Sequence, residues 1–419
     1  MTTASIPRVI EAVWRIESAR LIGGLARLVR DVALAEDLAQ EALVTASERW
    51  PESGVPDNPG AWLMATAKNR ALDELRRRAL LRRKHAEIGH QIAVESASGR
   101  PDLAEALDDE VGDDVLRLMF VACHPVLSPE ARVSLTLRLL GGLTTAEIAR
   151  AFVIPEPTIA QRIVRAKRTI TEARVPFELP SPPDRAARLS SVLEVVYLVF
   201  NEGYSATAGD DWLRPELCED ALRLGRTLAQ LAPNEPEAHA LLALMEIQAS
   251  RTRARVGSSG EPILLLEQDR SRWDPLLIQR GLAALARAEE LGGSLGSYAL
   301  QAAIAACHAR ARTADETDWV RMVALYDALG QLAPSPIVEL NRAVAVGMAF
   351  GPAAGLQIVD GLAAEPLLGT YHLLQAVRRD LLVKIGRVDE ARAAFERAAF
   401  LTRNARERDL LLARAKACR

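Results

Sequence analysis

Apolar residues recur at helical spacing along most of the chain. Leu34, Leu38 and Ala42 lie four residues apart, which places them on one face of a helix. An earlier apolar stripe meets Gly23-Gly24, and we expect those glycines to interrupt its helix. Aromatic residues make up only 4% of the chain, whereas the good helix formers Ala, Leu, Arg and Glu dominate nearly every window. The pattern therefore predicts an all-α fold.

Breaks in this pattern divide the chain into segments. Between 95 and 114 the periodicity is lost, and the seven acidic residues from Asp102 to Asp114 occur without a base among them, which is typical of a solvated linker. Residues 176–183 hold four prolines, and proline removes a backbone donor and fixes φ, which marks a domain boundary. We predict a first helical domain over 1–90, an acidic linker over 91–112, a second helical domain over 113–175, a Pro-rich linker over 176–184 and a helical repeat domain over 185–419.

The last of these segments contains an internal repeat. LAQLAPNEPE at 228–237 resembles LGQLAPSPIVE at 329–339, and the copies lie roughly three periods of a 34-residue helical hairpin apart. The last hairpin carries that repeat's second-half pattern, with the small residues Gly386, Ala391 and Ala398 allowing two helices to approach closely and Phe395 filling the gap between them. We interpret 185–419 as a tetratricopeptide-like stack of helices, with an irregular α-helical domain as the alternative.

Charge and cysteine content narrow the classes of function. The net charge of −3 gives the chain no overall basic character, so a nucleic-acid surface would be local. The four cysteines are far apart and predict neither a disulfide framework nor a CxxC metal site. No window approaches about eighteen uncharged apolar residues, and the N-terminus lacks a signal-peptide core, so we expect a cytoplasmic protein without a membrane segment.

Two short helices separated by a tight turn are predicted between 144 and 170. Thr144 followed by Glu147 is the signature of a capping box, and the turn falls near 153–155. The second helix has an inward apolar stripe of Ile159, Ile163, Ala166 and Ile170. Its opposite face carries Gln161, Arg165 and Arg168, with Arg162 and Lys167 on the flanks. Gln and Arg side chains can hydrogen-bond to base edges, so this pattern is typical of a DNA-recognition helix. An amphipathic helix with an ordinary solvated face is the alternative.

A strongly basic segment lies upstream, over 62–84. Eight cations there oppose only Asp73 and Glu74, and Trp62 and Asn69 lie at or near its start. Cations can hold a nucleic-acid backbone, and an amide beside a pocket can read an unstacked base. Taken alone, these charges are equally typical of a solvated helix face.

Three segments, in this order, resemble the extracytoplasmic-function (ECF) sigma factors of bacterial RNA polymerase. They are DVALAEDLAQEAL at 31–43, PGAWLMATAKNRALDELRR at 59–77, and LSPEARVSLTLRLLGGLTTAEIARAFVIPEPTIAQRIVRAKRTI at 127–170. The later segments VVYLVFNEGYSAT, EQDRSRWD and APSPIVELNRAVAV resemble the subgroup with a tetratricopeptide-like C-terminal extension. The resemblance implies two small helical sigma domains, the second a helix-turn-helix, followed by that extension. It also implies a promoter-specificity subunit with no enzymatic activity and no cofactor, whose partners are core RNA polymerase and promoter DNA. In this subgroup the extension is thought to replace a membrane anti-sigma factor, so a soluble regulatory protein is a candidate partner.

The resemblance also implies roles for individual residues. The polymerase contacts would be Glu36, Asp37, Gln40 and Glu41. The residues at the minus-ten promoter element would be Trp62, Lys68, Asn69, Arg70, Asp73 and Arg76. Those at the minus-thirty-five element would be Thr158, Ala160, Gln161, Arg162, Val164 and Arg165, and the basic face adds Lys167 and Arg168. Pro157 replaces a common Gly, and Ala160 replaces a longer polar side chain, so base reading would rest more on Gln161 and Arg165.

Other classes of function have weaker support. No GxGxxG, Walker loop, HExxH or GxSxG motif occurs, which disfavours an enzyme. Polar groups at 201–204 and 269–274 could line a pocket, or form a buried network or a domain interface. Cys123-His124 and Cys307-His308 lack the ligand spacing of a zinc site, so no metal is predicted. A helix-turn-helix regulator with a helical scaffold domain, not a polymerase subunit, is the alternative function, but it leaves 31–43 and 62–84 without a role.

Overall fold

A computed structural model describes residues 6–88, 111–206, 212–257, 261–362 and 372–387, together with isolated positions beyond 387. Regular structure in these ranges is helical apart from an isolated β-bridge between Val256 and Pro262, which confirms the all-α prediction. The chain divides into two compact units, Met1–Val195 and Val196–Arg419. In the described ranges, no helix is long and apolar enough to cross a membrane.

The first unit is built around its N-terminal helix. Its helices are α1 (Ile6–Val29), α2 (Val32–Ser53), α3 (Pro59–Ile88), α4 (Val111–Ala122), α5 (Pro129–Leu139), α6 (Thr145–Phe152), α7 (Glu156–Glu172) and the first part of α8 (Pro182–Tyr204). Helix α1 packs against α2, α3 and α4, and α7 packs against both α5 and α6. The two predicted helical domains of the N-terminal half therefore belong to one compact unit.

Helix α1 continues through Gly23-Gly24, so the expected interruption was wrong. A Cβ on Gly23 would lie only 3.0 Å from the carbonyl oxygen of Asp114 in α4. The absence of a side chain allows the two helices to approach closely, and this packing offsets the poor helix propensity of glycine.

The end of the acidic segment is helical and packed, which corrects its interpretation as solvated linker. Asp114 lies in the first turn of α4, is buried, and forms ion pairs with Arg27 at 3.2 Å and Arg117 at 2.8 Å. Both cations lie outside the acidic segment, so its local composition did not reveal them. Residues 89–110, which include most of the predicted linker, lie outside the described residues.

The second unit is a succession of helices that pack mainly on their chain neighbours. They are the end of α8, α9 (Pro215–Leu231), α10 (Pro236–Ala249), α11 (Pro275–Glu290), α12 (Ser297–Arg310), α13 (Trp319–Leu332), α14 (Pro336–Phe350), α15 (Pro352–Leu362) and α16 (His372–Lys384). Separate apolar clusters centre on Ile247 and Leu285, on Met322 and Leu329, and on Leu382. Such serial packing is typical of stacked helical hairpins.

The repeated sequence segments occupy equivalent places in this succession. The segment 228–237 spans the turn from α9 to α10, and 329–339 spans the turn from α13 to α14. In the predicted final hairpin, Gly386 adopts a φ of 80° after α16 and Ala398 is buried. Ala391 and Phe395 lie outside the described residues.

Candidate nucleic-acid interface

The turn between α6 and α7 is made by two local signals. The Thr144 hydroxyl accepts a hydrogen bond from the Glu147 N–H at 3.2 Å, and the Glu147 carboxylate accepts from the Thr144 N–H at 2.7 Å, which confirms the capping box. Val153 then ends α6 in the left-handed conformation with φ of 53°. Pro157 lies in the first turn of α7, where proline is tolerated.

The capping carboxylate also has a partner on α1. Arg15 Nη2 donates to Glu147 Oε1 at 2.7 Å. Burial raises the pKa of Glu147, but the hydrogen bonds from Thr144 and the charge and hydrogen bond of Arg15 together hold it below its ordinary value. The carboxylate is therefore ionised at neutral pH and serves both the cap and the α1 contact.

Helix α7 has the two predicted faces. Its apolar stripe is buried throughout, at Ile159, Ile163, Ala166 and Ile170. The opposite side exposes Thr158, Gln161, Val164, Arg165 and Arg168, while Ala160 and Arg162 are half-buried. Arg168 pairs with Glu172 on the same helix at 2.6 Å. Lys167 lies apart from the exposed set, because its side chain is mostly buried and ion-paired with Glu36 of α2.

The exposed side of α7 forms one wall of a cleft. The cleft has a volume of about 380 Å³ and lies between α7 and the start of α5. Its lining includes Ser128, Ala131, Thr158, Gln161 and Arg165. The amide and guanidinium predicted to read bases are therefore gathered at one solvent-accessible groove, the placement that hydrogen bonding to base edges requires.

The start of α3 presents a polar edge beside a tryptophan pair. Half-buried Trp62 contacts buried Trp50 of α2 edge-to-face, with ring centroids 5.5 Å apart. Two turns later Asn69 is exposed and Lys68 is half-buried. The pair anchors this end of α3 on α2. The side chains of Arg82, Arg83 and Lys84 lie outside the described residues.

Arg70 links two of the predicted contact sets. It donates to Glu41 Oε2 at 2.6 Å and to the Thr45 hydroxyl at 2.8 Å, both on α2. Asp73 and Arg76 pair with each other at 3.2 Å on the exposed surface of α3. The structure thus brings a predicted minus-ten residue against a predicted polymerase residue.

Glu36 is enclosed, unlike Asp37 and Glu41 nearby. It is only 2% exposed, and its Oε1 accepts from Gln40 Nε2 at 2.5 Å and from Arg138 Nε at 2.7 Å. Lys167 Nζ lies beside Oε2 as a charge partner without hydrogen-bond geometry. Two cations from α5 and α7 therefore neutralise a carboxylate of α2 in a site closed to water.

Sequence reasoning missed these links between α1–α3 and α4–α7. The Trp14 Nε1–H donates to the Gly142 carbonyl oxygen at 3.1 Å across a sequence separation of 128 residues. Arg15 and Glu147 are separated by 132 residues. No local pattern identifies partners so distant, because each residue alone suits an ordinary helix surface.

The same two stretches match known families. Residues 16–80 match Sigma-70 region 2, and residues 117–170 match Sigma-70, region 4. The ECF RNA polymerase sigma factor SigL of Mycobacterium tuberculosis (strain ATCC 35801 / TMC 107 / Erdman) is 31% identical over 145 residues, which are 34% of this chain and 76% of SigL. The chain belongs to the ECF RNA polymerase sigma factors. The region 2 match covers 31–43 and most of 62–84, which a simple helix-turn-helix regulator would leave unused.

Two further relatives resemble this sigma factor over longer stretches of its chain. The probable ECF RNA polymerase sigma factor SigI of Mycobacterium tuberculosis (strain CDC 1551 / Oshkosh) is 30% identical over 168 residues, covering 40% of this chain and 56% of SigI. An uncharacterized protein of Rhizobium meliloti (strain 1021) is 43% identical over 387 residues, covering 92% of this chain and 90% of that protein. Residues 188–289 match a family of unknown function (DUF6596). A comparison with solved structures found no match.

Family membership implies that this sigma factor binds core RNA polymerase and promoter DNA. Glu36, Arg70, Gln161 and Arg165 all fall within the two matched regions. Of the Cys–His pairs, Cys123 is buried against the Thr136 hydroxyl at 3.3 Å, and burial raises the pKa of its thiol to about 12. The described residues contain no group of three or more His, Cys, Asp or Glu side chains that could hold a metal ion.

Proposed function

We propose that α7 reads the minus-thirty-five promoter element through Gln161 and Arg165. The observation that carries this proposal is the exposed polar face of α7, backed by a fully buried apolar stripe. Thr158 and Arg165 lie in the same cleft as Gln161, within reach of one base-pair edge or its neighbours. Arg162 and Arg168 flank this set and would contact phosphates.

The start of α3 would recognise the minus-ten element. Trp62 holds the helix against α2, and exposed Asn69 offers a donor and an acceptor to an unstacked base. Lys68 and Arg70 lie next to it and would meet the backbone, and Asp73 and Arg76 continue the same helix. The exposed carboxylates of Asp37 and Glu41 on α2, together with Gln40, would contact the polymerase.

Glu36 and Lys167 can serve such partners only after their ion pair opens. Glu36 is enclosed by Arg138 and Lys167, so a polymerase contact at this carboxylate would have to replace those cations. Release of Lys167 would at the same time add a cation to the DNA-binding side of α7. We therefore expect polymerase binding and DNA binding to favour the same separation of regions 2 and 4.

The second unit would regulate the sigma regions through protein contacts, in the cytoplasm where the polymerase acts. Its helices pack in series around separate small cores, and the repeated segments recur at equivalent turns. Stacked hairpins of this tetratricopeptide-like kind expose extended surfaces suited to a peptide or a protein domain. We propose a soluble regulatory protein as the partner of this surface.

Transcription by a shortened chain tests this regulatory role. The chain should end after Val195 rather than before α8, because Ser191 donates to the Cys123 carbonyl oxygen at 2.6 Å and Arg132 pairs with Glu194. We expect the rate from the cognate promoter to change severalfold relative to the full chain. An unchanged rate, at equal abundance and equal hydrogen-exchange protection of α4 and α5, would remove the regulatory role.

A further inference from the structure

A row of alternating cations and aromatic rings lies inside the second unit. Arg255 stacks on Tyr204, with its Cζ 3.6 Å from the ring centroid, and the Cζ of Arg251 lies 5.7 Å from the same ring. Arg251 also lies 5.8 Å from the ring of Trp273, and Arg270 lies 4.8 Å from that ring. Three guanidinium groups therefore gather around two rings.

Among the residues that the structure describes, these three charges have no acidic partner. Arg251 is 8% exposed, Arg255 is 7% exposed and Arg270 is half-buried. Within the described ranges none of the three forms an ion pair with a carboxylate. The Glu316 carboxylate interacts with the charge of Arg270 electrostatically, but the two groups do not form an ion pair. Burying cations without counter-charges is costly, so this arrangement favours the entry of an anion.

Arg251 differs from the other two arginines of the row, because its guanidinium N–H groups are not used in hydrogen bonds to the described residues. Arg255 donates to the Tyr204 carbonyl oxygen, and Arg270 donates to the Ala311 carbonyl oxygen at 2.7 Å. In contrast, Arg251 Nε is buried without a hydrogen-bond partner, and its guanidinium has no acceptor in the part of the chain that the structure describes. Cation–π contacts hold Arg251 in place but leave its hydrogen-bonding capacity unused.

Two neighbouring side chains add unpaired ring nitrogens. Trp273 Nε1 and His308 Nδ1 are both buried, and neither has a hydrogen-bond partner among the described residues. Burial, reinforced by the charges of Arg251 and Arg270, lowers the pKa of His308 to about 3, so its imidazole is neutral at physiological pH. A neutral imidazole can place its N–H on either nitrogen, which makes it a further donor for an acceptor-only ligand.

A surface cavity of about 620 Å³ adjoins the row. Trp273 belongs to both, and the cavity is also lined by Thr252, Arg253, Ser271 and Arg272. The acid in its lining, Asp274, is engaged with the backbone N–H groups of Leu276 and Leu277 at the start of α11. The hydroxyls of Thr252 and Ser271 already donate to the Ala249 carbonyl oxygen and to Asp269. The cavity therefore presents the exposed cations Arg253 and Arg272, beside the Trp273 ring that Arg251 also contacts.

We propose that the second unit binds a small molecule bearing an oxyanion, a phosphate or a carboxylate, at Arg251. The planar guanidinium offers two parallel N–H groups to such an oxyanion, and Trp273 forms the wall along which the rest of the molecule lies. Arg253 and Arg272 meet a second charge or a polar end of the ligand in the cavity. The site would make the second unit a receptor for an anionic metabolite, which goes beyond its proposed contact with proteins.

Binding to the purified full chain tests the site. The probes are sodium phosphate and sodium succinate, each compared with sodium chloride at the same ionic strength, with the melting temperature of the second unit and the tryptophan fluorescence as readouts. At least one oxyanion should raise the melting temperature in a saturable way that chloride does not reproduce. Which of the two does so identifies a phosphate or a carboxylate as the preferred group.

Variants assign the effect to the row. Arg251→Met keeps the apolar stem and removes the charge, and we expect it to weaken oxyanion binding about tenfold or more. Arg280→Met, an exposed arginine of α11 outside the cavity, is the matched control and should bind as the unmodified chain does. If Arg251→Met does not fold, Arg272→Gln in the cavity replaces it and should weaken binding severalfold.

Two results would overturn the proposal. Either neither oxyanion stabilises the chain beyond chloride, or the stabilisation is the same in Arg251→Met, or in Arg272→Gln where that replaces it, as in the unmodified chain. Neither result bears on the proposed function, because the binding assay contains no polymerase and no promoter. Conversely, a shortened chain with unchanged transcription would leave the binding result standing.

Discussion

Glu36 carries a negative charge in a place almost closed to water, and Arg138 and Lys167 from other helices neutralise it. Removal of one member of such a group leaves the others buried and uncompensated, which is more costly than the net worth of the pair. The same carboxylate is a proposed polymerase contact. Its replacement therefore tests how the two sigma regions are held together.

We predict that Glu36→Gln lowers the free energy of unfolding of the first unit by about 3 kcal/mol. The exposed carboxylate of Glu41, which pairs with Arg70, is the matched control, and Glu41→Gln should cost less than about 1 kcal/mol. The measurement is the urea concentration at which α2 amides lose hydrogen-exchange protection. Equal small shifts in both variants would contradict a stabilising role for the Glu36 contacts.

Arg165 and Arg168 lie one turn apart on the exposed side of α7 but differ in their surroundings. Arg165 lines the cleft with Gln161, whereas Arg168 pairs with Glu172. We predict that Arg165→Ala costs about 1–3 kcal/mol in promoter binding and relaxes selectivity at one base pair. Arg168→Ala should weaken all promoters alike and reduce the salt dependence. Titration of polymerase holoenzyme onto promoter variants distinguishes the two, and equal, sequence-independent losses would contradict the recognition-helix assignment.

Glu147 makes the stability of the turn depend on pH. Its folded pKa lies below the ordinary value of 4.5, so its stabilising effect is complete above that pH and is lost as the pH falls through the folded value. Glu147→Gln should therefore destabilise α6 by about 1 kcal/mol at neutral pH and by less at an acidic pH below the folded pKa.

Hydrogen exchange of α6 amides in urea at the two pH values measures this difference. Glu172→Gln, on the exposed end of α7, is the control and should shift the midpoint by less than about 0.5 kcal/mol. A destabilisation by Glu147→Gln that is the same at both pH values would mean that the carboxylate charge does not support the cap.

At the scale of single elements, the turn between α6 and α7 contains a strained residue. Val153 is β-branched, adopts φ of 53° and is 58% exposed, so it bears the cost of the left-handed conformation with little compensating burial. We predict that Val153→Asn stabilises the turn by about 0.5–1 kcal/mol, because asparagine tolerates this conformation.

Val164 provides the control, since it is 64% exposed but lies within α7. Valine and asparagine have similar helix propensities, so Val164→Asn should leave the stability nearly unchanged. Urea titration of both variants, followed through α6 and α7 amides, makes the comparison. A loss of stability in Val153→Asn would show that the valine side chain is needed for packing.

The helix-turn-helix could be predicted in detail because its signals are local. The Thr144–Glu147 cap and the stripe from Ile159 to Ile170 depend on spacings of three and four residues, which the sequence displays directly. The contacts of Glu36 with Arg138 and Lys167 could not be predicted, because they join residues more than a hundred positions apart. The predicted interruption of α1 at Gly23 was wrong for the same reason, because α4, which packs against this glycine, is distant in sequence.

At the scale of the whole molecule, the two units are organised differently. In the first unit, α1 packs against α2, α3 and α4, so sigma regions 2 and 4 form one compact body. In the second unit, apolar clusters follow one another along the chain. Neither arrangement follows from composition, which is helix-forming throughout. The proposed separation of regions 2 and 4 on the polymerase would have to open the first arrangement, and the second is the basis of the proposed partner-binding surface.

Run-off transcription with purified core polymerase is the decisive test of the assignment as a sigma factor. The template is a promoter identified by sequencing the transcripts that appear when the protein is overproduced. We expect accurate initiation that requires both the polymerase and this protein, from the full chain or from the chain ending at Val195. Absence of initiation with either chain, although both are folded, would contradict the assignment as a sigma factor.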